Sequence, residues 1–266
     1  MSQPIVPEAG KKVDLKEFSS GYAGDMKKED GVAELERLGF RLNELQDIFY
    51  ADERFAMLIV LQAIDTGGKD GTIKGVFREV GPLGCNVVNF GVPTAEELSH
   101  DYLWRYHLKA PERGHITIFN RSYYESVLVE RVKGIAPKEI WKARYDEINA
   151  FEAFLSAQKT VVMKFYLHIS KDEQRARLQE RVDNPKKRWK FRSGDLEDRK
   201  VWGDYQEAFS DMLTRCNTAV APWHVVPADH NWYRDLVVAR ALVKKLESLD
   251  LKYPDAAPGI VGTVVV

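Results

Sequence analysis

The sequence predicts an α/β fold in which one parallel sheet of five strands is covered by helices on both faces. Apolar runs of the kind that form buried strands lie at residues 55–61, 85–90, 115–119, 160–169 and 223–226. Segments with helical spacing of apolar residues alternate with these runs, and such alternation is typical of parallel sheets. The chain has 266 residues, enough for one large domain, and a net charge of −1. Binding of an anion therefore requires a local cluster of cations.

Residues 29–250 are predicted to form the globular domain, between an N-terminal arm (1–28) and a C-terminal tail (251–266). The first helix is expected at residues 30–50, where apolar side chains recur at spacings of three and four. The remaining helices are expected at residues 71–80, 94–109, 122–132, 138–157, 172–182, 197–220 and 231–248. The tail contains prolines and glycines and is expected to be extended or disordered.

The cysteines and the absence of long apolar segments favour a cytoplasmic protein. Cys85 and Cys216 lie in or beside apolar stretches, which indicates buried, reduced thiols rather than a disulfide. No apolar run approaches the ~18 residues of a transmembrane helix. Residues 1–10 lack the features of a signal peptide. We therefore expect no membrane partner.

The loop after the first strand, residues 65–71, has the composition of a phosphate-binding loop. Glycines let backbone N–H groups approach phosphate oxygens, while a helix N-terminus and a lysine add positive charge. The Walker A pattern G-x-x-x-x-G-K-[ST] is matched only at Gly68 and Lys69. Ala63 replaces its first glycine and Asp70 its hydroxyl residue. A plain turn with a solvated lysine is therefore an open alternative.

Two loops that follow strands of the same sheet are expected to face one crevice and to bind a divalent metal. Asp65 leaves the first strand, and Thr72 offers a hydroxyl nearby. After the third strand, Asn120 stands where a Walker B motif has aspartate, and Glu125 follows in the next helical turn. Asp65, Asn120 and Glu125 are the predicted metal ligands, and Arg121 is predicted to neutralise phosphate. A helix cap at Asn120 and an ordinary first-turn acid at Glu125 are equally good alternatives.

Residues 181–192 form a strongly basic segment, with six lysines or arginines and one acidic residue. Asn184-Pro185 interrupts a helix there, and Trp189 and Phe191 lie among the basic residues. Between the fourth and fifth strands, such a segment has the position of the lid of a P-loop kinase. A lid of this kind excludes water and brings cations to the transferred phosphoryl group. A solvated basic loop or a nucleic-acid patch is the alternative.

Together, the three segments resemble the polyphosphate kinase 2 family, over residues 29–249. The matching motifs are Asp65-x-x-Gly-Lys-Asp-Gly, Asn120-Arg-Ser-x-Tyr-Glu and Pro185-x-Lys-x-Trp-Lys, followed by Asp195, Arg199, Trp202 and Tyr205. Asparagine at 120 with glutamate at 125 is similar to the class III subgroup, since other subgroups carry aspartate at 120. The resemblance implies a three-layer P-loop kinase-like fold, a helical basic lid at about residues 181–205, and Mg²⁺ as cofactor, with Mn²⁺ able to substitute. It also implies a homodimer or homotetramer.

The resemblance implies reversible transfer of the terminal phosphoryl group of inorganic polyphosphate to AMP and ADP, with ATP as the final product. Guanine nucleotides are further acceptors that it leaves open, and nucleic acid is not expected as a partner. The catalytic residues it implies are Asp65, Lys69, Asn120, Arg121 and Glu125. The residues expected along the polyphosphate are Gly67, Gly68, Lys69, Asp70, Gly71, Arg121, Arg181, Lys187, Lys190 and Arg199. Candidates for nucleotide binding are Phe90, Pro93, Thr94 and Arg105, whereas Trp104 is expected in the core.

Two other function classes are consistent with the same residues. An ATP-dependent nucleotide kinase shares the fold, but the charge density of the lid and the incomplete Walker A motif disfavour it. A non-catalytic polyanion-binding module requires the basic segment and none of the catalytic carboxylates.

Overall fold

The computed structural model describes residues 6–264, and the outer ends of the predicted arm and tail, residues 1–5 and 265–266, lie outside the described residues. Within that range the chain forms one parallel sheet of five strands in the order β2-β3-β1-β4-β5. The strands are β1 (Ala56–Gln62), β2 (Cys85–Asn89), β3 (Ile116–Asn120), β4 (Thr160–His168) and β5 (Trp223–Pro227). The predicted parallel sheet is confirmed, and each predicted strand end is correct to within one residue.

Helices cover both faces of the sheet. The α-helices are α1 (Lys28–Asp52), α2 (Lys69–Val76), α3 (Ala95–Leu98), α4 (Trp104–His107), α5 (Val129–Val132), α6 (Lys138–Ala157), α7 (Lys171–Asp183), α8 (Ser193–Lys200), α9 (Trp202–Arg215) and α10 (Asn231–Glu247). Short 3₁₀ turns lie at Leu15–Glu17, Tyr123–Ser126 and Arg188–Lys190. Helices α1 and α10 pack against each other, and α10 also packs against α2.

Three predicted helices are each divided in two. Asp101 divides the segment 94–109. Its carboxylate accepts hydrogen bonds from the backbone N–H groups of Leu103 and Trp104, and α4 begins there. The segment 122–132 begins instead with a 3₁₀ turn, in which the Ser122 hydroxyl accepts from a backbone N–H. These local side-chain bonds compete with a continuous helix.

The third divided helix, predicted at 197–220, becomes α8 and α9 and stops at Arg215. Asn217 holds the loop that follows. Its side chain accepts from the backbone N–H of Trp223 and donates to the carbonyl of Pro7. The chain therefore leaves the helix where an asparagine can satisfy two distant backbone groups.

Strand β2 is an edge strand. The prediction that it is buried on both faces is wrong. It pairs only with β3, and Val87 on it is 45% exposed. By contrast, every residue of β1 and β3 is buried. Cys216 is buried as expected, whereas Cys85 on β2 is only half-buried, and both are free thiols. Over residues 6–264, no helix is long and apolar enough to cross a membrane.

The strand order brings the predicted site loops together. β1 lies between β3 and β4, and Leu61 of β1 is in register with Asn120 of β3. Because parallel strands end at the same edge of a sheet, the loops after β1 and β3 open into one crevice, as predicted.

Candidate active site

The loop between β1 and α2 is a tight turn that requires its glycines. The backbone N–H of Gly67 donates to the Ile64 carbonyl at 2.9 Å, and a Cβ on Gly67 would lie 2.4 Å from the Cβ of Ala63. Gly68 adopts a φ of +101°, in the left-handed region that favours glycine. Helix α2 begins at Lys69, two residues earlier than predicted. The loop therefore ends directly at the positive end of a helix.

Lys69 is held inside this loop. Its side chain is buried, and its Nζ donates to the carbonyl of Ala63 at 2.9 Å. Burial, with the nearby Arg121 cation, lowers the pKa of Lys69 to about 8. The alternative interpretation of this loop as a plain turn with a solvated lysine is therefore wrong. The Thr72 hydroxyl, which the sequence offered as a ligand, is fully buried and donates to the Gly68 carbonyl at 3.2 Å.

Arg121 lies at the centre of the crevice, between two carboxylates. It forms ion pairs with Asp65 and, at 2.8 Å, with Glu125. The Glu125 charge, opposed by burial and assisted by Asp65, raises the pKa of Arg121 above its ordinary value. Burial disfavours ionised Asp65, but the charges of Arg121 and Lys69 outweigh burial and lower the pKa of Asp65. The crevice thus contains alternating charges that a bound polyanion would rearrange.

Asn120 connects the loops at the ends of three strands. Its Nδ2 donates to Asp70 at 2.9 Å and to Asn89, the last residue of β2, at 2.7 Å. The cap of the following turn is Ser122, so the interpretation of Asn120 as a helix cap is wrong. Sequence reasoning missed Asn89, because a polar residue at the end of an edge strand gives no distinctive signal.

The basic lid reaches the crevice through part of its length. Lys190, in the 3₁₀ turn, forms an ion pair with Asp70 of the phosphate loop at 2.8 Å. Arg181 pairs with Asp195 at 3.1 Å and adds positive charge near Asp65. The Lys190–Asp70 ion pair therefore joins the lid to the phosphate loop.

The other two predicted lid residues do not contact the phosphate loop directly. Lys187 pairs with the exposed Glu180. Arg199 donates to the Lys171 carbonyl and, at 3.1 Å, to the side chain of Gln174 on α7. Of the lid residues predicted to contact polyphosphate, the structure therefore brings Arg181 and Lys190 to the crevice.

The predicted nucleotide-binding residues cluster around the loop after β2. Phe90 is buried, and the Arg105 guanidinium lies over its ring at 5.2 Å and forms an ion pair with Glu97 at 3.1 Å. Thr94 caps α3, and Pro93 is half-buried beside it. Phe90 and Thr94 therefore have structural roles in this conformation.

Trp104 was wrongly expected in the core. Its ring is half-buried and stacks on His100 at a centroid distance of 4.0 Å. The short helix α4 buries Tyr106 instead, which leaves Trp104 at the surface.

Asp198 of α8 and Tyr205 of α9 complete the crevice, where they line a small cleft with Asp65, Arg121 and Glu125. Burial and the neighbouring Asp198 raise the pKa of Tyr205 above its ordinary value. Tyr205 belongs to the third sequence motif. Asp198, three residues after Asp195 on α8, was not predicted from the sequence.

The carboxylates of the crevice suit a metal that takes few protein ligands. Among residues 6–264, no group of three or more His, Cys, Asp or Glu side chains is placed to hold a metal ion. Mg²⁺ is commonly bound by one or two carboxylates, with waters and substrate phosphates as its other ligands. Asp65 and Glu125 flank Arg121, and the Asn120 amide oxygen lies at the same strand ends. This donor set fits such an ion.

The family model of polyphosphate kinase 2 matches residues 25–254, a span that contains the phosphate loop, the Asn120–Glu125 segment and the lid. This chain belongs to the polyphosphate kinase 2 family. The chain is 51% identical over 245 residues to an AMP/ADP-polyphosphate phosphotransferase of Meiothermus ruber, with 91% of each protein covered. It is 41% identical over 262 residues to an ADP-polyphosphate phosphotransferase of Rhodopseudomonas palustris, covering 94% of this chain and 91% of that protein.

A solved structure of a polyphosphate kinase 2 has the same fold. The crystal structure from Arthrobacter aurescens TC1 matches with a TM-score of 0.91 and 37% sequence identity, covering 98% of this chain and 97% of that one. The P-loop kinase-like fold predicted from the sequence is therefore confirmed over nearly the whole chain.

Proposed function

We propose that this member of the polyphosphate kinase 2 family transfers the terminal phosphoryl group of inorganic polyphosphate to AMP and to ADP, reversibly. The observation that carries the proposal is the joined cationic crevice. Buried Lys69 and central Arg121 lie at the strand ends, and Lys190 connects the basic lid to the same loop. A long polyanion suits such a track better than one compact triphosphate does. The family membership and the relatives' names support the same reaction.

In this proposal, the donor lies along the phosphate loop and the lid. Gly67 closes the turn with its own N–H group. Backbone N–H groups of Gly68 to Gly71, together with Lys69, hold the terminal phosphates, while Arg181 and Lys190 bind the chain beyond them. Lys187 and Arg199 also lie on the lid, and they are proposed to contact the outer part of the polyphosphate chain. Arg121 leaves its carboxylate partners to neutralise charge at the transferred group.

The transfer step needs little covalent chemistry from the protein. A terminal phosphate oxygen of the acceptor attacks the terminal phosphorus of the donor in line, and the shortened polyphosphate leaves with the electron pair of the broken bond. The attacking oxygen is already anionic, so no strong general base is required. Positioning and stabilisation of charge by Lys69 and Arg121 therefore supply most of the rate enhancement.

Mg²⁺ is the proposed cofactor, and Mn²⁺ the proposed substitute. Asp65 and Glu125, with the amide oxygen of Asn120, are the residues that would hold the ion. A divalent cation held there would neutralise charge on the donor and acceptor phosphates. Glu125 is the proposed determinant of acceptor length, since it would hold the metal near the terminal phosphate of a mono- or diphosphate.

The acceptor is proposed to enter beside the loop after β2, near Phe90, Pro93, Thr94 and Arg105. Arg105 is the phosphate-binding candidate of this group, because its guanidinium lies over Phe90, directly after the end of β2. Guanine nucleotides are proposed as further acceptors. The two free thiols support a cytoplasmic location. A homodimer or homotetramer is proposed as well, supported by the half-exposed Phe154 on α6.

The deciding experiment is a product time course with polyphosphate and Mg²⁺ in the absence of ATP, using AMP and ADP as separate acceptors. We expect ADP and then ATP from AMP. Lys69→Ala should abolish transfer, whereas Lys74→Ala, at an exposed position on the same helix, should not. Product formation only when ATP is supplied would identify an ATP-dependent kinase. Tight polyphosphate binding without any turnover would identify a non-catalytic module.

A further inference from the structure

One face of α2 and its cap consists of glycines, and a single ion pair on α10 fills the space that they leave. Gly68, Gly71 and Gly75 follow one another at spacings of three and four, which places them on one face of a helix. A Cβ on Gly68 would lie 2.2 Å from Arg234 Nη1, and one on Gly71 would lie 2.9 Å from Arg234 Nη2. A Cβ on Gly75 would lie 2.2 Å from the carboxylate of Asp235. The three glycines therefore make room for Arg234 and Asp235.

Arg234 is a buried cation directly behind the phosphate loop. Its side chain is only 3% exposed. Its guanidinium bonds to Asp235 at 2.8 Å and to the Asn231 side chain at 2.7 Å. Burial of an arginine is unfavourable unless the charge is paired, and Asp235 provides one paired side. The remaining side faces Gly68 at the positive end of α2, where a second positive charge is unfavourable until an anion binds.

Arg177 of α7 supports the same loop from a second direction. It donates to the backbone carbonyl of Thr66 at 3.1 Å and to that of Ala228 at 2.6 Å, and it also lies close to Gly68. Thr66 and Gly68 both have positive φ, so the loop holds a conformation that few residues adopt. Two guanidinium groups on separate helices thus hold the rear of the turn.

We propose that Arg234 is a positioning residue for the phosphate donor. It holds the Gly68 turn so that the loop N–H groups point into the crevice, and it adds a buried positive charge on the far side of the loop from the bound phosphates. It does not touch the donor itself, because it is enclosed by α2 and α10. This role rests on the proposed placement of polyphosphate on residues 65–71. Its consequence is specific: Arg234 affects donor affinity and leaves acceptor affinity unchanged.

The test compares Arg234→Met and Arg234→Lys with Arg240→Met, a control on the same helix. Arg240 pairs with Glu34 of α1 and lies away from the loop. Polyphosphate affinity is measured by titration, and KM is measured separately for polyphosphate and AMP. For Arg234→Met we expect donor affinity to fall about tenfold, because the loop loses both its support and a nearby positive charge, with the KM for AMP within about twofold of the wild-type value. Arg234→Lys keeps the charge and should recover part of the loss, whereas Arg240→Met should retain wild-type donor affinity.

Measurements on three variants decide the inference. Unchanged donor affinity in Arg234→Met, or equal loss of donor and acceptor affinity, would overturn it. If Arg234→Met does not fold, Arg234→Lys decides: a loss of donor affinity of about threefold or more supports the role, and a smaller change overturns it. Lys69→Ala serves as the reference. If it binds polyphosphate like the wild type, the placement of the donor on the loop is wrong, whereas loss in Lys69→Ala alone refutes only the role of Arg234.

Discussion

Replacement of Lys69 by methionine should stabilise the protein while it abolishes activity. The Lys69 ammonium is buried, and burial with the Arg121 charge lowers its pKa from 10.5 to about 8. Each pKa unit corresponds to about 1.4 kcal/mol, so the buried charge destabilises the fold by about 3 kcal/mol below pH 8. Methionine loses the hydrogen bond to the Ala63 carbonyl, worth about 1 kcal/mol. The expected net gain at pH 7 is about 2 kcal/mol.

The pH dependence of this gain separates the charge from changes in packing. Below the folded pKa, Lys69 is protonated in both the folded and the unfolded protein, so the full destabilisation is present. Between pH 8 and 10.5 the unfolded chain binds more protons, and the destabilisation declines with rising pH. The gain of Lys69→Met over wild type should therefore shrink by about 1.4 kcal/mol from pH 7 to pH 9.

The assay is urea denaturation of wild type, Lys69→Met and Lys74→Met at both pH values, in the absence of phosphate. Lys74 lies on the same helix but is exposed, so its substitution should change stability little. A variant at position 69 that is less stable than wild type at pH 7 would refute the reasoning. A stability difference that is equal at the two pH values would refute it as well.

Three further predictions concern other parts of the site and its support. Lys164→Met should destabilise the fold by about 3–5 kcal/mol in urea denaturation, because Lys164 and Glu152 form a fully buried pair; a loss below about 1 kcal/mol would contradict this. Glu125→Ala should change the ratio of kcat/KM for AMP to that for ADP by about tenfold in product time courses; an unchanged ratio would exclude Glu125 as the determinant of acceptor length. Lys190→Ala should raise the KM for polyphosphate by about tenfold and Lys187→Ala by about twofold, since only Lys190 contacts the phosphate loop; equal effects would contradict the assigned path.

The site was predictable from the sequence wherever its residues follow a strand. Asp65, Lys69, Asn120, Arg121 and Glu125 all come after β1 or β3, and the structure brings these residues to one crevice. A parallel sheet makes this unavoidable, because the carboxyl ends of its strands share one edge. Their assignment as catalytic or metal-binding residues stays a prediction.

Residues whose place depends on a distant element were not predictable. Asp198 reaches the crevice from α8, and Arg234 reaches the phosphate loop from α10, more than 150 residues along the chain from Gly68. Trp104 was misplaced for the same reason, since whether an aromatic side chain on a short helix is covered depends on its neighbours. No local pattern contains this information.

By itself, the sequence determined the succession of strands and helices along the chain, the two loops after β1 and β3, and the basic segment of the lid. Periodicity and turn chemistry act over short distances, so these features can be read locally. Only the tertiary structure decided how these charges are paired. It buried Lys69, placed Arg121 between Asp65 and Glu125, and set Arg234 behind Gly68 and Gly71. The physical reason is that burial and pairing set the energy of a charge, and both depend on groups that are distant in the chain and adjacent only in the fold.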